Sequence, residues 1–164
     1  MAEDVEIRGA QPDDVELILS LIRGLAEYER SGHSVKGNAE LLREGLFGAH
    51  PHAQVLIAER RGEPVGFAMY FGTFSTWECR PGLYLEDLFV VESHRRTGIG
   101  EALFGAVARV ARDSGCARLE WVALRWNEPA LRFYERLGSE QLEEWVTYRL
   151  SGDALAQVAR PDRS

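Results

Sequence analysis

The sequence predicts an α/β domain. Short stretches rich in Val, Ile, Phe and Tyr alternate along the chain with segments whose apolar residues recur at helical spacing. Two of the apolar stretches are separated only by Arg61, Gly62 and Glu63, which favours an antiparallel hairpin. A chain of 164 residues is also long enough to bury about 70% of its unfolded surface, so one compact domain over 1–164 is expected.

Residues 5–10 predict a short strand, after which Pro12 and Asp13 open a helical segment whose buried face carries Leu17, Leu21, Leu25 and Tyr28. The stretch around His33 reads as a loop, 38–48 as a second helix, and 49–53, with His50, Pro51 and His52, as a connection. The hairpin strands are 54–60 and 64–74. Further strands are expected at 83–91, 118–124 and 141–150, with helices at 98–114 and 128–137 between them. The variable tail, 151–164, predicts a short amphipathic helix before Pro161 and a frayed end over the last four residues.

Nineteen basic against twenty-six acidic residues give a net charge of -7, which disfavours nucleic acid and favours a cationic substrate. The N-terminus lacks an apolar signal run, and no stretch approaches 18 uninterrupted apolar residues, so no membrane partner is expected. Cys79 and Cys116 form no metal-ligand series, and His33, His50, His52 and His94 have no mutual spacing for zinc; no metal is expected. Reducing cytoplasm is the simplest compartment for such a chain.

The sharpest local pattern is LYLEDLFVVESHRRTGIGEALFGAVARVA, an apolar strand that passes through an arginine-containing turn into a helix. Gly98 and Gly100 let backbone amides approach an anion, the helix start adds N–H donors and dipole, and Arg95 and Arg96 add positive charge. Neither GxGxxG nor GxxxxGK[ST] is present, so a phosphate-bearing ligand other than the usual dinucleotides or nucleoside triphosphates is indicated. Glu86 and Asp87 are adjacent in the strand, and regular alternation sends them to opposite faces. Each is either a site acid or a hydrogen-bonded edge acid.

The second pattern is LEWVALRWNEPALRFYERLG, in which Asn127 reads as a helix N-cap and Gly138 as a helix stop. Tyr134 is either core material or, beside Trp126 and Phe133, part of a partly dry cleft where a phenol can protonate a thiolate.

Together the two segments resemble the GCN5-related N-acetyltransferase (GNAT) superfamily, whose acetyl-CoA loop pattern Arg95 through Gly100 match. GFAMYF, LYLEDLFV, RRTGIG and WNEPALRFYERLG, in this order, resemble the spermidine/spermine (diamine/thialysine) acetyltransferase branch over about residues 5–150. The resemblance implies a mixed, mostly antiparallel curved sheet flanked by helices, acetyl-CoA as co-substrate, and a homodimer. It implies direct N-acetylation of a small primary amine, with a polyamine or thialysine as candidates. An amino-acid-like metabolite or aminoglycoside acceptor, and a non-catalytic acyl-CoA sensor, are the alternatives.

The same resemblance assigns residues. Leu88, Phe89, Val90 and Val91 supply backbone to the pantetheine arm, and Arg95, Arg96, Thr97, Gly98, Ile99 and Gly100 cradle the pyrophosphate. Asn127 and Arg136 lie near the cofactor, and Tyr134 protonates the CoA thiolate. Glu86 helps deprotonate the amine, Asp87 and Glu29 receive the substrate, and Trp77 and Trp145 form channel walls. Arg30, Ser31, Gly32 and His33 depart from the more acidic stretch of polyamine-acetylating members, which argues against an extended polyamine.

Overall fold

The computed structural model describes residues 4–160; the expected fraying of the last four residues lies outside them. Five strands form one sheet in the order β1 (Val5–Gly9), β2 (Gln54–Arg60), β3 (Glu63–Ser75), β4 (Arg80–Val90) and β5 (Leu119–Glu120). The first three pairings are antiparallel and β4–β5 is parallel, so the sheet is mixed and mostly antiparallel, flanked by helices. Helices α1 (Val15–Tyr28) and α2 (Ala39–Phe47) connect β1 to β2, and α3 (Ile99–Asp113) makes the crossover from β4 to β5. Two more, α4 (Glu128–Arg136) and α5 (Gly152–Val158), follow.

The predicted hairpin is present, and its two-residue turn has Arg61 at φ 52° and Gly62 at φ 79°. Two left-handed residues in succession match the twist of the flanking strands, which is why a glycine serves there.

Both faces of the sheet are covered. Ile18, Leu21 and Leu25 of α1 pack with Leu46 of α2 against Val55, Ile57, Phe67 and Phe89. Leu17 and Tyr28, expected on the buried face, sit at its margin. A Cβ at Gly66 would lie 3.2 Å from Leu103 of α3, so Gly66 faces α3 while its neighbour Phe67 faces α1. Two-sided cover explains why Val65, Gly66, Phe67 and Ala68 are buried in succession.

At the sheet margin Arg8 holds β1, β2 and the turn before α1 together. Its Nε donates to Glu59 Oε1 at 2.8 Å, and its Nη1 and Nη2 donate to Asp14 Oδ2 and Oδ1 at 2.7 and 2.9 Å. The hydrogen bond from Arg8 holds the Asp14 carboxyl below its ordinary range, so this contribution is complete above about pH 4 and fades on acidification. Arg8→Met is expected to cost about 1–3 kcal/mol, because it leaves two partly buried carboxylates unpaired. Urea denaturation at pH 7 measures it.

Contacts divide the chain into two compact units, one through Val122 and one from Ala123 on. The strand expected over 118–124 shrinks to Leu119–Glu120, paired only with Leu83 and Tyr84. Just beyond these pairs β4 is irregular. Met69 opposes Asp87 and Tyr70 opposes Leu85, so Glu86 is an extra residue in the strand. A bulge bends and twists its strand, and this one follows directly on the last residues that pair with β5. The segment 141–150 is not a strand: it has no ladder partner among the described residues, and Leu142, Trp145, Val146, Tyr148 and Leu150 are exposed. Alternating apolar residues make a strand only where a neighbour accepts their backbone hydrogen bonds. The short tail helix is present as α5.

Candidate active site

The turn into α3 is built for an anion. After a single 3-10 turn at Glu92–His94 the chain passes through Arg96 at φ 61° and Gly98 at φ 85°, the residue at which α3 begins. No side chain caps that start, so the first-turn N–H groups remain as donors with the helix dipole behind them. A side chain at Gly98 would be strained in this left-handed conformation. Thr97 steadies the turn by donating its hydroxyl to His94 O at 2.6 Å. The uncapped amides fit a pyrophosphate, the group that acetyl-CoA would present.

The two turn arginines separate. Arg96 is exposed, whereas Arg95 turns inward: its Nε donates to Val90 O at 3.0 Å and its guanidinium carbon lies 4.3 Å from the centre of the Tyr28 ring. The phosphate-facing charge expected of both arginines thus has an exposed carrier in Arg96.

Beside the turn, β4 has an open edge. Pairing with β5 stops at Tyr84, and among the described residues no strand pairs with that edge beyond it. Val91 N–H donates to Val65 O at 2.9 Å, so Val91, Phe89 and Asp87 direct their backbone groups into the β3 ladder. By alternation Leu88 and Val90 direct theirs to the open edge. The four strand residues expected to offer backbone therefore divide into two that face outward and two that serve the sheet.

At the bulge the two acids take different environments. Glu86 is exposed; Asp87, on the same face as Phe89, is half-buried on the side that α1 covers. Desolvation, then the charges of Glu86 and Glu29, push the Asp87 carboxyl up to about 6. Glu29 follows Tyr28 at the C-terminal end of α1, and burial raises its carboxyl as well. Burial acts most strongly on Asp87, and the charges of Glu86 and then Glu29 reach it as well. Its parity with Phe89, two residues on, was the available sign.

Tyr84 stacks on Phe71 with ring centres 5.2 Å apart, and burial followed by the charges of Glu86 and Glu120 raises its phenol. Trp77 stands at the β3–β4 turn with 88% of its surface exposed, so it walls nothing within its unit.

The second unit holds the remaining candidates. Asn127 caps α4, its Oδ1 accepting from Ala130 N–H at 3.4 Å, and Gly138 at φ 79° follows the helix end, as the sequence predicts. Arg136 Nη1 donates to Arg132 O at 3.2 Å and lies over the Phe133 ring, whose centre is 5.2 Å from that of Tyr134. Ser139 Oγ fixes the helix end by donating to Tyr134 O at 2.8 Å. Trp145 is exposed. Among the described residues no group of three or more His, Cys, Asp or Glu is placed to hold a metal.

Comparison with known proteins gives this geometry a family. Residues 19–139 match the family model described as acetyltransferase (GNAT) family. A thialysine N-epsilon-acetyltransferase of Bos taurus is 40% identical over 94% of this chain and 97% of its own length. One from Caenorhabditis elegans is 35% identical over 96% and 98%. Among solved structures, an integron cassette protein from the mobile metagenome of V. cholerae superposes with a TM-score of 0.80 at 28% identity, covering 96% of this chain and 99% of that one. With an uncapped helix start beside an open strand edge, and with most of its length matching that family, the chain belongs to the GNAT acetyltransferases and is an N-acetyltransferase.

Proposed function

We propose that this enzyme transfers acetyl directly from acetyl-CoA to the terminal amine of a thialysine-like small amine. The observation that carries the acceptor class is the desolvated Asp87 carboxyl on the bulged strand, on the side that α1 covers, with Glu29 at the end of that helix. Paired carboxylates in a partly dry setting recognise a primary ammonium. The near full-length likeness to thialysine N-epsilon-acetyltransferases supports the same class. The departure at Arg30, Ser31, Gly32 and His33 favours a short amine over an extended polyamine.

An alkylamine with a pKa near 10.4 is only about 0.1% neutral at pH 7.4, a barrier of about 4 kcal/mol. Asp87 and Glu29 hold the ammonium, and Glu86, exposed at the bulge, passes its proton to solvent through water. Acetyl-CoA supplies an activated thioester. The amides at the start of α3, with Arg96, bind its pyrophosphate, and the outward N–H groups of Leu88 and Val90 orient the pantetheine arm and polarise the thioester carbonyl. The family resemblance counts Asn127 and Arg136 among the cofactor's residues and makes Tyr134 the acid that protonates the departing sulfur.

Free CoA release from acetyl-CoA, with mass detection of products, tests this across thialysine, lysine, ornithine, putrescine, spermidine and aminoglycosides. Acetylated thialysine as the fastest product is expected, with spermidine slower. Acetylated aminoglycoside alone would move the acceptor class, and acetyl-CoA binding without transfer would make the protein a sensor.

A cytoplasmic homodimer is the setting we infer. Cys79 and Cys116 are both free, and no helix among the described residues is long and apolar enough to cross a membrane. Trp145, Val146 and Tyr148 leave an apolar run exposed in a segment patterned as a strand, which suits pairing with a second copy. A monomer in sedimentation at micromolar concentration would refute it.

A further inference from the structure

We propose that Arg95 is a positioning residue for the amine site, pinning Tyr28 and with it the adjacent Glu29 at the end of α1, the helix that covers the Asp87 side of β4. The inference rests on the reading of Glu29 and Asp87 as the acceptor's carboxylates. A phosphate ligand would extend its guanidinium toward the helix start, but this one lies between two rings, 4.3 Å from the centre of Tyr28 and 5.7 Å from that of Phe89. Its Nε is committed to Val90 O at 3.0 Å. Arg95 therefore ties the last residue of β4, whose carbonyl faces the open edge, to the last residue of α1.

The surroundings make this a rigid tie. A Cβ at Gly24 would meet the Phe89 ring at 3.2 Å, so α1 passes hard against the ring that forms the floor under the guanidinium. Beyond Tyr28 the helix closes at once. Glu29 N–H donates to Leu25 O at 2.9 Å, Ser31 N–H donates to Ala26 O at 2.7 Å, and Arg30 between them adopts φ 59°. Glu29 thus has little freedom independent of Tyr28, and Tyr28 is held by a cation over its face. Arg95 also sits in the turn that receives the pyrophosphate, so the donor and acceptor subsites share one fixed point. The uncapped amides of α3 and the exposed Arg96 remain for the phosphates when Arg95 is changed.

Arg95→Met and Tyr28→Leu remove the two halves of the tie. Each is expected to raise the amine KM about 10-fold, the scale of a cation–π contact in a partly desolvated place. Calorimetric affinity for acetyl-CoA is expected to change less than about twofold, and the double variant is expected to do no more than either single one. Tyr28→Phe keeps the ring under the guanidinium and is expected to raise the amine KM less than Tyr28→Leu does. An acetyl-CoA affinity lowered by Arg95→Met alone, or an amine KM unmoved in both variants, would overturn the tie and return Arg95 to a phosphate role. Glu29→Gln separates the two claims: an unchanged amine KM there overturns the acceptor-site reading, whatever the Arg95 variants do.

Discussion

Tyr134→Phe is expected to lower kcat for amine acetylation by on the order of 10²- to 10³-fold while leaving acetyl-CoA affinity within about twofold. The loss falls on kcat because the phenolic proton is needed only as the sulfur departs, whereas the ring, which Phe retains, keeps its place beside Phe133 on α4. The helix end and the Ser139 contact use the Tyr134 main chain, which Phe keeps. Steady-state kinetics with calorimetry on the same protein decides it. Equal kcat in the two proteins would remove Tyr134 from the chemistry.

The second large effect is expected at Asp87. Its carboxyl titrates near 6 in the folded chain against 3.8 in the unfolded one, raised first by desolvation and then by Glu86 and Glu29. Between those values the folded state binds more protons than the unfolded state, so stability falls as pH rises, and the full cost is present above about pH 6. Two units correspond to about 3 kcal/mol. Asp87→Asn should therefore be more stable than the parent at pH 7.5 by about 1–3 kcal/mol, a gap that closes toward pH 4. Its kcat/KM for the amine should fall on the order of 10²-fold. In the parent, amine kcat/KM should drop as pH falls through about 6 as Asp87 takes up a proton, and this limb should be missing in the variant. Chemical denaturation and kcat/KM across pH 4–8 test both halves; a variant less stable at pH 7.5 would contradict the assignment.

Sequence pattern reached the α/β class, the Arg61–Gly62 hairpin, α1 to α4 and the turn into α3, because local rules govern each: left-handed turn residues, helical spacing, and a glycine where a helix starts. It failed where the answer depends on a partner. The residues 141–150 carry a strand's composition, but composition does not create a neighbour. Nor does residue order reveal that Glu86 is the extra residue of a bulge, since that is a property of two strands in register. The same limit explains Arg95. Charge and position beside two glycines suggested a phosphate ligand, and only the approach of α1, more than 60 residues earlier in the chain, brings Tyr28 under its guanidinium.

The open edge of β4 also bears on how enzymes of this kind diversify. Leu88 and Val90 offer main-chain groups there, and the start of α3 offers amides, so use of the acyl donor depends weakly on which side chains occupy these positions. In the function proposed above, acceptor choice instead rests on a few side chains drawn from α1 and the bulge. Mutations can therefore drift through the acceptor set, exchanging one amine for another, while the donor is inherited unchanged.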